Sequence, residues 1–250
     1  MMHTRLQHAG LGLLLAGAIG AATAQDAPAS AKRAFELPPS ADLHYELQAR
    51  QRGFSLKGEA IVTWRAGDGK YNIKAESKVP VLGTITDDRS SGAIDAWGLA
   101  PAEFVEKRMR KDPTTATFDR DAKSLSFSES KQVYRLKGGE QDRVSITWQL
   151  AAVARAAGDK FKAGSKWPFF VAGRRDAESW VFEVVRREKV RTGLGEVDAV
   201  LVSRQPVADK KDQSLEIWLA PQHEWYPVKL RYQEGEKEQI EQTLNTVTKP

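Results

Sequence analysis

Apolar and polar residues alternate with a period of two through most of the chain beyond residue 42. Leu43, Tyr45 and Leu47 share one side of a first run, and Ala60, Val62 and Trp64 share one side of a second. That spacing places every second side chain on the same face of a β-strand. Arg52-Gly53 separates these two runs, and Ala66-Gly67-Asp68-Gly69 separates the second from a third. Glycine accepts the positive φ of tight turns, so both read as hairpin turns. The same pattern predicts strands near 71–78, 83–88, 104–111, 115–119, 124–128 and 132–136, then near 166–171, 178–191, 196–204, 214–219, 227–233 and 239–247.

One segment follows a different period. Ile146, Leu150, Val153 and Ala157 recur at helical spacing, with Ala151, Ala152, Ala154 and Ala156 among them, Asp142 ahead as a cap and Gly158 behind as a stop. Alanine favours helix, and an amphipathic helix must cover its apolar stripe. Strand signals run from Asp42 to Val247 without an intervening linker. The expected fold is therefore mainly β: a single curled antiparallel sheet of about a dozen strands, a spiral or half-barrel, with one helix packed on its concave face.

The start of the chain reads differently. Arg5 precedes an apolar run from Leu11 to Ile19 and then Ala22-Thr23-Ala24, the order of parts in a secretory signal peptide with a small-x-small cleavage site. Residues 1–24 are expected to be removed between Ala24 and Gln25, residues 25–41 to form a disordered leader, and residues 42–250 to form one domain. The apolar run is short for a bilayer span, and no cysteine follows to carry a lipid, so no transmembrane segment is expected after cleavage. The expected location is the periplasm.

Composition narrows the chemistry. The 250 residues include 38 Lys and Arg against 33 Asp and Glu, a formal charge of +5, with the two signs interleaved along nearly every segment. Such a balance describes a solvated surface and gives no reason to expect a nucleic-acid partner. The absence of cysteine removes disulfides, thiolate nucleophiles and sulfur-ligated zinc. Stability then rests on burial, for which seven Trp, nine Phe and five Tyr are available.

Few residues recommend themselves as catalysts. His44 and His223 are the only histidines beyond residue 24, and His223 stands between Pro221 and Pro227, where a helical metal motif is excluded. No metal and no cofactor is expected. Gly193-Leu194-Gly195 lacks the third glycine of a dinucleotide loop and sits between strand signals, so it reads as a hairpin turn. Asp87, Asp88 and Asp119 each lie near an arginine, which favours the ionised form, and turn formation is their plainer account. The aromatic set Trp64, Trp148, Trp167, Phe169, Trp180 and Trp218 is spread over many strands and the helix. Core packing is one account of it, and a partly open apolar groove is the other.

Four stretches carry a resemblance. They are Ser91-Gly92-Ala93-Ile94 with Gly98-Leu99-Ala100-Pro101-Ala102-Glu103-Phe104; Phe118-Asp119-Arg120; Gln141-Asp142-Arg143-Val144-Ser145-Ile146; and Gly195-Glu196-Val197-Asp198-Ala199 with Ile217-Trp218-Leu219-Ala220-Pro221 and Pro227-Val228-Lys229-Leu230. Together they resemble the bacterial family known as domain of unknown function 3108. The resemblance implies a secreted or envelope β protein and supplies no catalytic residue to carry over. The expected role is a non-enzymatic periplasmic binding or scaffold protein that holds a lipid, an apolar peptide or an envelope protein. The alternative is an envelope glycan hydrolase drawing on Asp87, Asp88, Asp119 and His223, which would need two carboxylates roughly 5–10 Å apart.

Overall fold

The computed structural model describes residues 25–27, 31–51, 53–80, 82–206, 213–235 and 238–250. The expected signal segment, residues 1–24, lies outside the described residues. Beyond it the chain forms β1 (Gln25–Asp26), β2 (Ala41–Gln51), β3 (Phe54–Gly67), β4 (Lys70–Val79), β5 (Gly83–Asp95), β6 (Gly98–Arg108), β7 (Thr114–Asp119), β8 (Ser124–Phe127) and β9 (Ser130–Arg135). Next come β10 (Gln141–Asp142), helix α1 (Ser145–Ala157), a 3₁₀ turn (Gly158–Lys160), β11 (Lys166–Ala172), β12 (Ala177–Thr192) and β13 (Gly195–Arg204). Then follow β14 (Gln213–Ala220), a 3₁₀ turn (Pro221–His223), β15 (Tyr226–Glu234) and β16 (Glu238–Thr248).

All of these strands belong to one sheet, in the order β1-β9-β8-β7-β6-β5-β4-β3-β2-β16-β15-β14-β13-β12-β11-β10. β1 lies at one edge, parallel to β9, and from β2 near the middle of the sheet the chain meanders outward to β9. After β9 it passes through residues 136–140 to β10 at the opposite edge, returns through α1 to β11, which pairs parallel to β10, and meanders inward until β16 pairs with β2. Two largely antiparallel wings are thus joined along the β2–β16 seam, each ending in a short parallel pair, and the helix is the connection between β10 and β11 at the edge of the returning wing. The sheet is curled and does not close into a barrel.

The curl lets the helix touch both wings. Trp148 joins a core with Leu43, Tyr45, Trp64, Ile73, Leu99, Tyr226 and Leu244, close to the seam. Ile146, Leu150, Val153 and Ala154 join a second core with Phe169, Trp180, Phe182, Val202, Ile217 and Leu219 of the returning wing. A third cluster binds the far edges, with Phe104, Phe118, Leu125 and Tyr134 against Phe170 and Ala172.

Some boundaries differ from the sequence pattern for identifiable reasons. β5 continues through Ser90-Ser91-Gly92-Ala93 and β6 begins at Gly98 rather than near Phe104, because small residues let the two strands pair closely where alternation is weak. The register shifts between Ser91 and Gly92, and a Cβ on Gly92 would stand 2.2 Å from the Ala100 carbonyl oxygen, so this bulge admits only glycine. Asp87 and Asp88 lie within β5 and not in a turn, whereas Asp119 does shape one, accepting the Ala122 N–H at 2.8 Å.

Residues 31–40, the later part of the segment 25–41 read from its small and proline-bearing composition as a leader, lie as an extended strap on the sheet. Glu36 donates its backbone N–H to the Ala152 carbonyl at 2.9 Å. The Pro38 carbonyl accepts from the Trp64 indole at 3.0 Å, and the Pro39 carbonyl accepts from the Tyr226 hydroxyl at 2.8 Å. Phe35 and Leu37 pack on the second and first cores respectively. Prolines that deny a strand its ladder leave carbonyls free to satisfy buried aromatic donors.

Candidate functional site

The six aromatics proposed from sequence divide between separate cores. Trp64 stacks on Trp148 with ring centroids 4.6 Å apart, and Trp148 meets Tyr226 edge-on at 6.2 Å. Phe169 and Trp180 both pack against Phe182, at 6.2 and 6.1 Å. Trp218 lies in the first core, with its indole donating to Glu188 Oε1 at 2.6 Å. Trp167 is half-buried, donates to Ser165 Oγ at 3.0 Å and packs at 5.4 Å from Phe161. Trp64, Trp148, Phe169, Trp180 and Trp218 are buried.

Concave space lies elsewhere, over the returning wing. An open bowl of about 620 Å³ is lined by the turn after α1, by β12 and β13 and by Trp225. Its apolar lining is Phe161, Val184 and Val200, themselves buried, with the half-buried Trp225, while Lys162, Arg186, Arg187 and Asp159 supply charge, Arg186 being paired with Glu188. Three local features shape it. β12 carries a register shift between Val184 and Arg186, which makes Val185 an extra residue and re-aims the strand beside the bowl. Val184 is held on its other side by the Ser165 carbonyl and the Gly164 N–H, at 3.0 and 2.8 Å. Arg187 then pairs with Val200 across the ladder, so both face the same side.

Trp225 is the least expected part. Glu224 and Trp225 have φ of 55° and 60°, the left-handed region that bulky residues seldom enter and that costs roughly 1–3 kcal/mol per residue. The Trp225 N–H reaches back to the Ala220 carbonyl at 2.9 Å, and Glu224 is gripped by Arg155 of α1 at 2.6 Å. Arg155 holds the Glu224 carboxyl below the usual carboxylate range. The result sets the Trp225 ring edge-on to Phe161 at 5.7 Å. Its sequence signal was the short run His-Glu-Trp-Tyr between two prolines, which announces a tight loop and says nothing of where the indole goes.

A second polar assembly sits where α1 meets the outgoing wing. Ser90 donates to Asp142 Oδ2 at 2.5 Å, and Tyr71 and Ser90 hydroxyls are 2.9 Å apart. Asp142 Oδ1 accepts the N–H groups of Val144 and Ser145, each at 2.8 Å, capping the helix from outside its first turn. Gln149 bridges β6 by accepting from Leu99 N–H at 2.8 Å and donating to the Trp97 carbonyl at 2.7 Å. A Cβ on Gly98, whose φ is +107°, would come 2.3 Å from the Gln149 amide, so glycine is required there. Arg120 pairs with the buried Glu140 at 2.6 Å, and Gln141 donates to the Leu99 carbonyl at 2.7 Å. Burial pushes the Asp142 carboxyl up to about 6 despite these donors. Ser90, Glu140, Gln141, Asp142 and Gln149 are buried in it, and it fastens the helix.

The carboxylates considered for hydrolysis do not assemble. Asp87 pairs with Arg89 at 2.9 Å, Asp119 serves its turn, and His223 lies in the 3₁₀ turn of the other wing. Asp88 instead faces Glu106 across β5 and β6. Burial, and then the Glu106 charge, raise the Asp88 carboxyl to about 7. Glu106 was missed by sequence reasoning because only the strand register brings the two together. Among the described residues no group of three or more His, Asp or Glu side chains is placed to hold a metal ion, and no helix is long and apolar enough to cross a membrane.

Residues 42–236 match the family described as "protein of unknown function (DUF3108)". Among curated proteins none matches. Similar solved structures include a domain named as an outer membrane lipoprotein-sorting protein from Vibrio parahaemolyticus, at 10% identity over 84% of this chain and 85% of that one, with a TM-score of 0.32. A Bacteroides fragilis protein named as exported with a YmcC-like fold shares 11% identity over 86% of this chain and 100% of its own, with a TM-score of 0.33. A DUF1329 family protein from Desulfovibrio piger shares 10% over 85% and 86%, with a TM-score of 0.29.

Proposed function

We propose, from the premise that the chain belongs to the family of proteins of unknown function DUF3108, that it is a non-enzymatic binding protein of the periplasm. In this reading it holds an amphiphile with an acidic head in the bowl above β12 and β13. The observation that carries the reading is the bowl itself, with its aromatic and aliphatic floor beside Lys162 and Arg187. Its volume is in the range that encloses small ligands, and an apolar floor with a few charged groups is how such sites combine affinity with orientation. Phe161, Val184, Val200 and Trp225 would take an acyl chain or apolar side chain, and the two cations would take a carboxylate or phosphate. A Trp225 held in a costly backbone conformation fits a role outside packing, since strain of this kind is retained where a side chain must be aimed.

Titration with oleate and lysophosphatidylglycerol, read by tryptophan fluorescence and by calorimetry, tests this. Saturable binding at one ligand per chain is expected, with affinity falling at least tenfold in Arg187→Glu and in Phe161→Ala. A panel of fatty acids, lysolipids and apolar peptides that gives no saturable response would overturn it.

The hydrolase reading gains a single observation, the Asp88–Glu106 pair, in which one carboxyl is raised toward neutrality beside another. It predicts glycan-cleaving activity that Asp88→Asn and Glu106→Gln each abolish. The absence of such turnover on isolated envelope glycans would remove it.

A further inference from the structure

Alternate turns of an antiparallel meander lie at the same end of the sheet, and here one end is unusual. It gathers the β2–β3 turn, where Gln51 pairs with Phe54, the β4–β5 turn between Val79 and Gly83, and the β6–β7 turn after Arg108. β16 begins beside them, with Glu238 opposite Gln51. Met109 N–H bonds the Ile85 carbonyl at 2.8 Å, joining two of the turns.

Large apolar side chains concentrate at this end, exposed among the described residues. Phe54 is 75% exposed, Leu82 45%, Ile240 41%, Leu56 38% and Met109 36%. Among the described residues, only Val185 and Leu194 are comparably exposed elsewhere. The cluster also has internal order. Phe54 and Leu56 continue the alternate positions of Ala60 and Trp64, so they extend the core face of β3 beyond the core. Leu56 pairs with Ala49 and Ala49 with Ile240, which sets them in one row across three strands. An apolar stripe therefore leaves the interior and runs out to the tips.

Cations share that end, with Arg50 and Lys57 on the opposite face of β2 and β3 from the stripe. Arg50, Lys57, Lys107, Arg110 and Lys111 belong to the same tips, and none of them makes a salt bridge with another described residue. Arg108 is satisfied by Glu106 at 2.7 Å, and Lys78 by Glu76. Among the described residues Glu59, Asp112 and Glu234 are the exposed acids nearby, with the half-buried Glu238 beside them, fewer than the five cations. Exposed hydrophobics at strand ends and turns, beside Lys and Arg that make no salt bridge with a described residue, match the boundary of an anionic bilayer, where apolar tips enter the acyl region and cations stay among the headgroups.

We propose that this end of the sheet docks the protein peripherally on a lipid bilayer carrying anionic headgroups. Phe54, Leu56, Leu82 and Met109 insert, and Arg50, Lys57, Lys107, Arg110 and Lys111 contact phosphate. The surface is separate from the bowl, and its occupation does not depend on what the bowl holds.

Flotation of the purified protein with vesicles tests it. Phosphatidylethanolamine vesicles with one-third phosphatidylglycerol should carry the protein upward at low salt, pure phosphatidylcholine vesicles should carry at least tenfold less, and high salt should weaken the first. Phe54→Glu should reduce flotation at least tenfold, as should the double variant Lys107→Glu, Arg110→Glu. Melting curves show that each variant is folded, and if one is not, the other carries the test. Trp225→Ala should float as the unaltered protein does, which separates this surface from the bowl. The proposal is overturned if the protein fails to float with phosphatidylglycerol vesicles, or floats equally with both vesicle types, or is unaffected by both variants. It is also overturned if Phe54→Glu converts a dimer to a monomer in a protein that does not float, since a second copy is then the occupant.

Discussion

The two wings hold the same helix by different physics. On the outgoing side, α1 and the residues before it are fixed by buried hydrogen bonds: Asp142 to Ser90, Gln149 to Trp97 and Leu99, and Gln141 to Leu99. On the returning side the contacts are mainly apolar, Ile146, Leu150 and Val153 against Phe169, Phe182, Val202 and Leu219, with one ion pair from Arg155 to Glu224, while the outgoing side adds one large apolar contact, Trp148 on Trp64. A hydrogen bond specifies distance and direction, so the first junction admits one register. An apolar contact rewards burial in any arrangement that fills space, so the second tolerates a bulge in β12 and an open bowl beside it. The cavity occurs on the wing where geometry is less tightly specified.

The comparison ranks substitutions. Asp142→Ala leaves Ser90 and two helix N–H groups buried without their acceptor, and it should destabilise by about 3–5 kcal/mol. Denaturant unfolding measures this, and faster hydrogen exchange in β5 and β6 should accompany it. Leu150→Ala opens a cavity in the returning core and should cost about 2–4 kcal/mol, with neighbours relaxing into part of the space. If Leu150→Ala proves the more damaging of the two, the outgoing junction is not the stronger hold.

How much of this was legible follows from the same contrast. Alternation at Leu43, Tyr45 and Leu47 and at Ala60 and Trp64 located strands because one face is buried and one wet, and the Ile146–Ala157 spacing located the helix. The stretch from Ser90 to Pro101 was obscure because its small residues pair by close approach and carry little alternation. Asp142 was legible as a cap, but its bond to Ser90 spans 52 residues and comes only with register. The aromatic list found core residues readily, since most tryptophans in a curled sheet face inward. It omitted Trp225 and Phe161, whose positions depend on a left-handed loop and on the turn after the helix. The resemblance to the DUF3108 family rested partly on motifs that act as packing signatures: Gly98, Gln141 and Asp142 meet at the outgoing junction, and Gly92 makes the β5–β6 bulge.

Asp88 sharpens the comparison through pH. It lies on the outgoing wing opposite Glu106, with Asp87 and Arg108 as its other charged neighbours, and its carboxyl is raised to about 7 by burial and by Glu106. A raised carboxyl binds its proton more tightly in the folded state. Its contribution is therefore fully present below the unfolded value near 4 and is lost as pH climbs through about 7. The unaltered protein should lose stability across that window, and Asp88→Asn should flatten the profile and be the more stable by about 1–2 kcal/mol at pH 8. Thermal melting from pH 4 to 8 checks both statements. A variant with an unchanged profile would mean that the pair is solvated and that the outgoing wing is less dry there than its hydrogen bonds suggest.

The smallest effect on stability should come from the bowl. Trp225→Gly removes an indole that is only half-buried, and it relieves a left-handed backbone that glycine adopts freely. Lost packing against Phe161 and recovered strain oppose each other at roughly 1–2 kcal/mol each, so the melting temperature should barely move. Binding of oleate or lysolipid should nevertheless fall at least tenfold, because the floor of the bowl loses its largest apolar surface. A residue held at a backbone cost, whose removal leaves stability intact and abolishes binding, is kept for the ligand. If Trp225→Gly instead lowers stability by more than about 2 kcal/mol, as losses from a packed core do, then Trp225 belongs to the returning core, and the bowl is a gap in packing beside it.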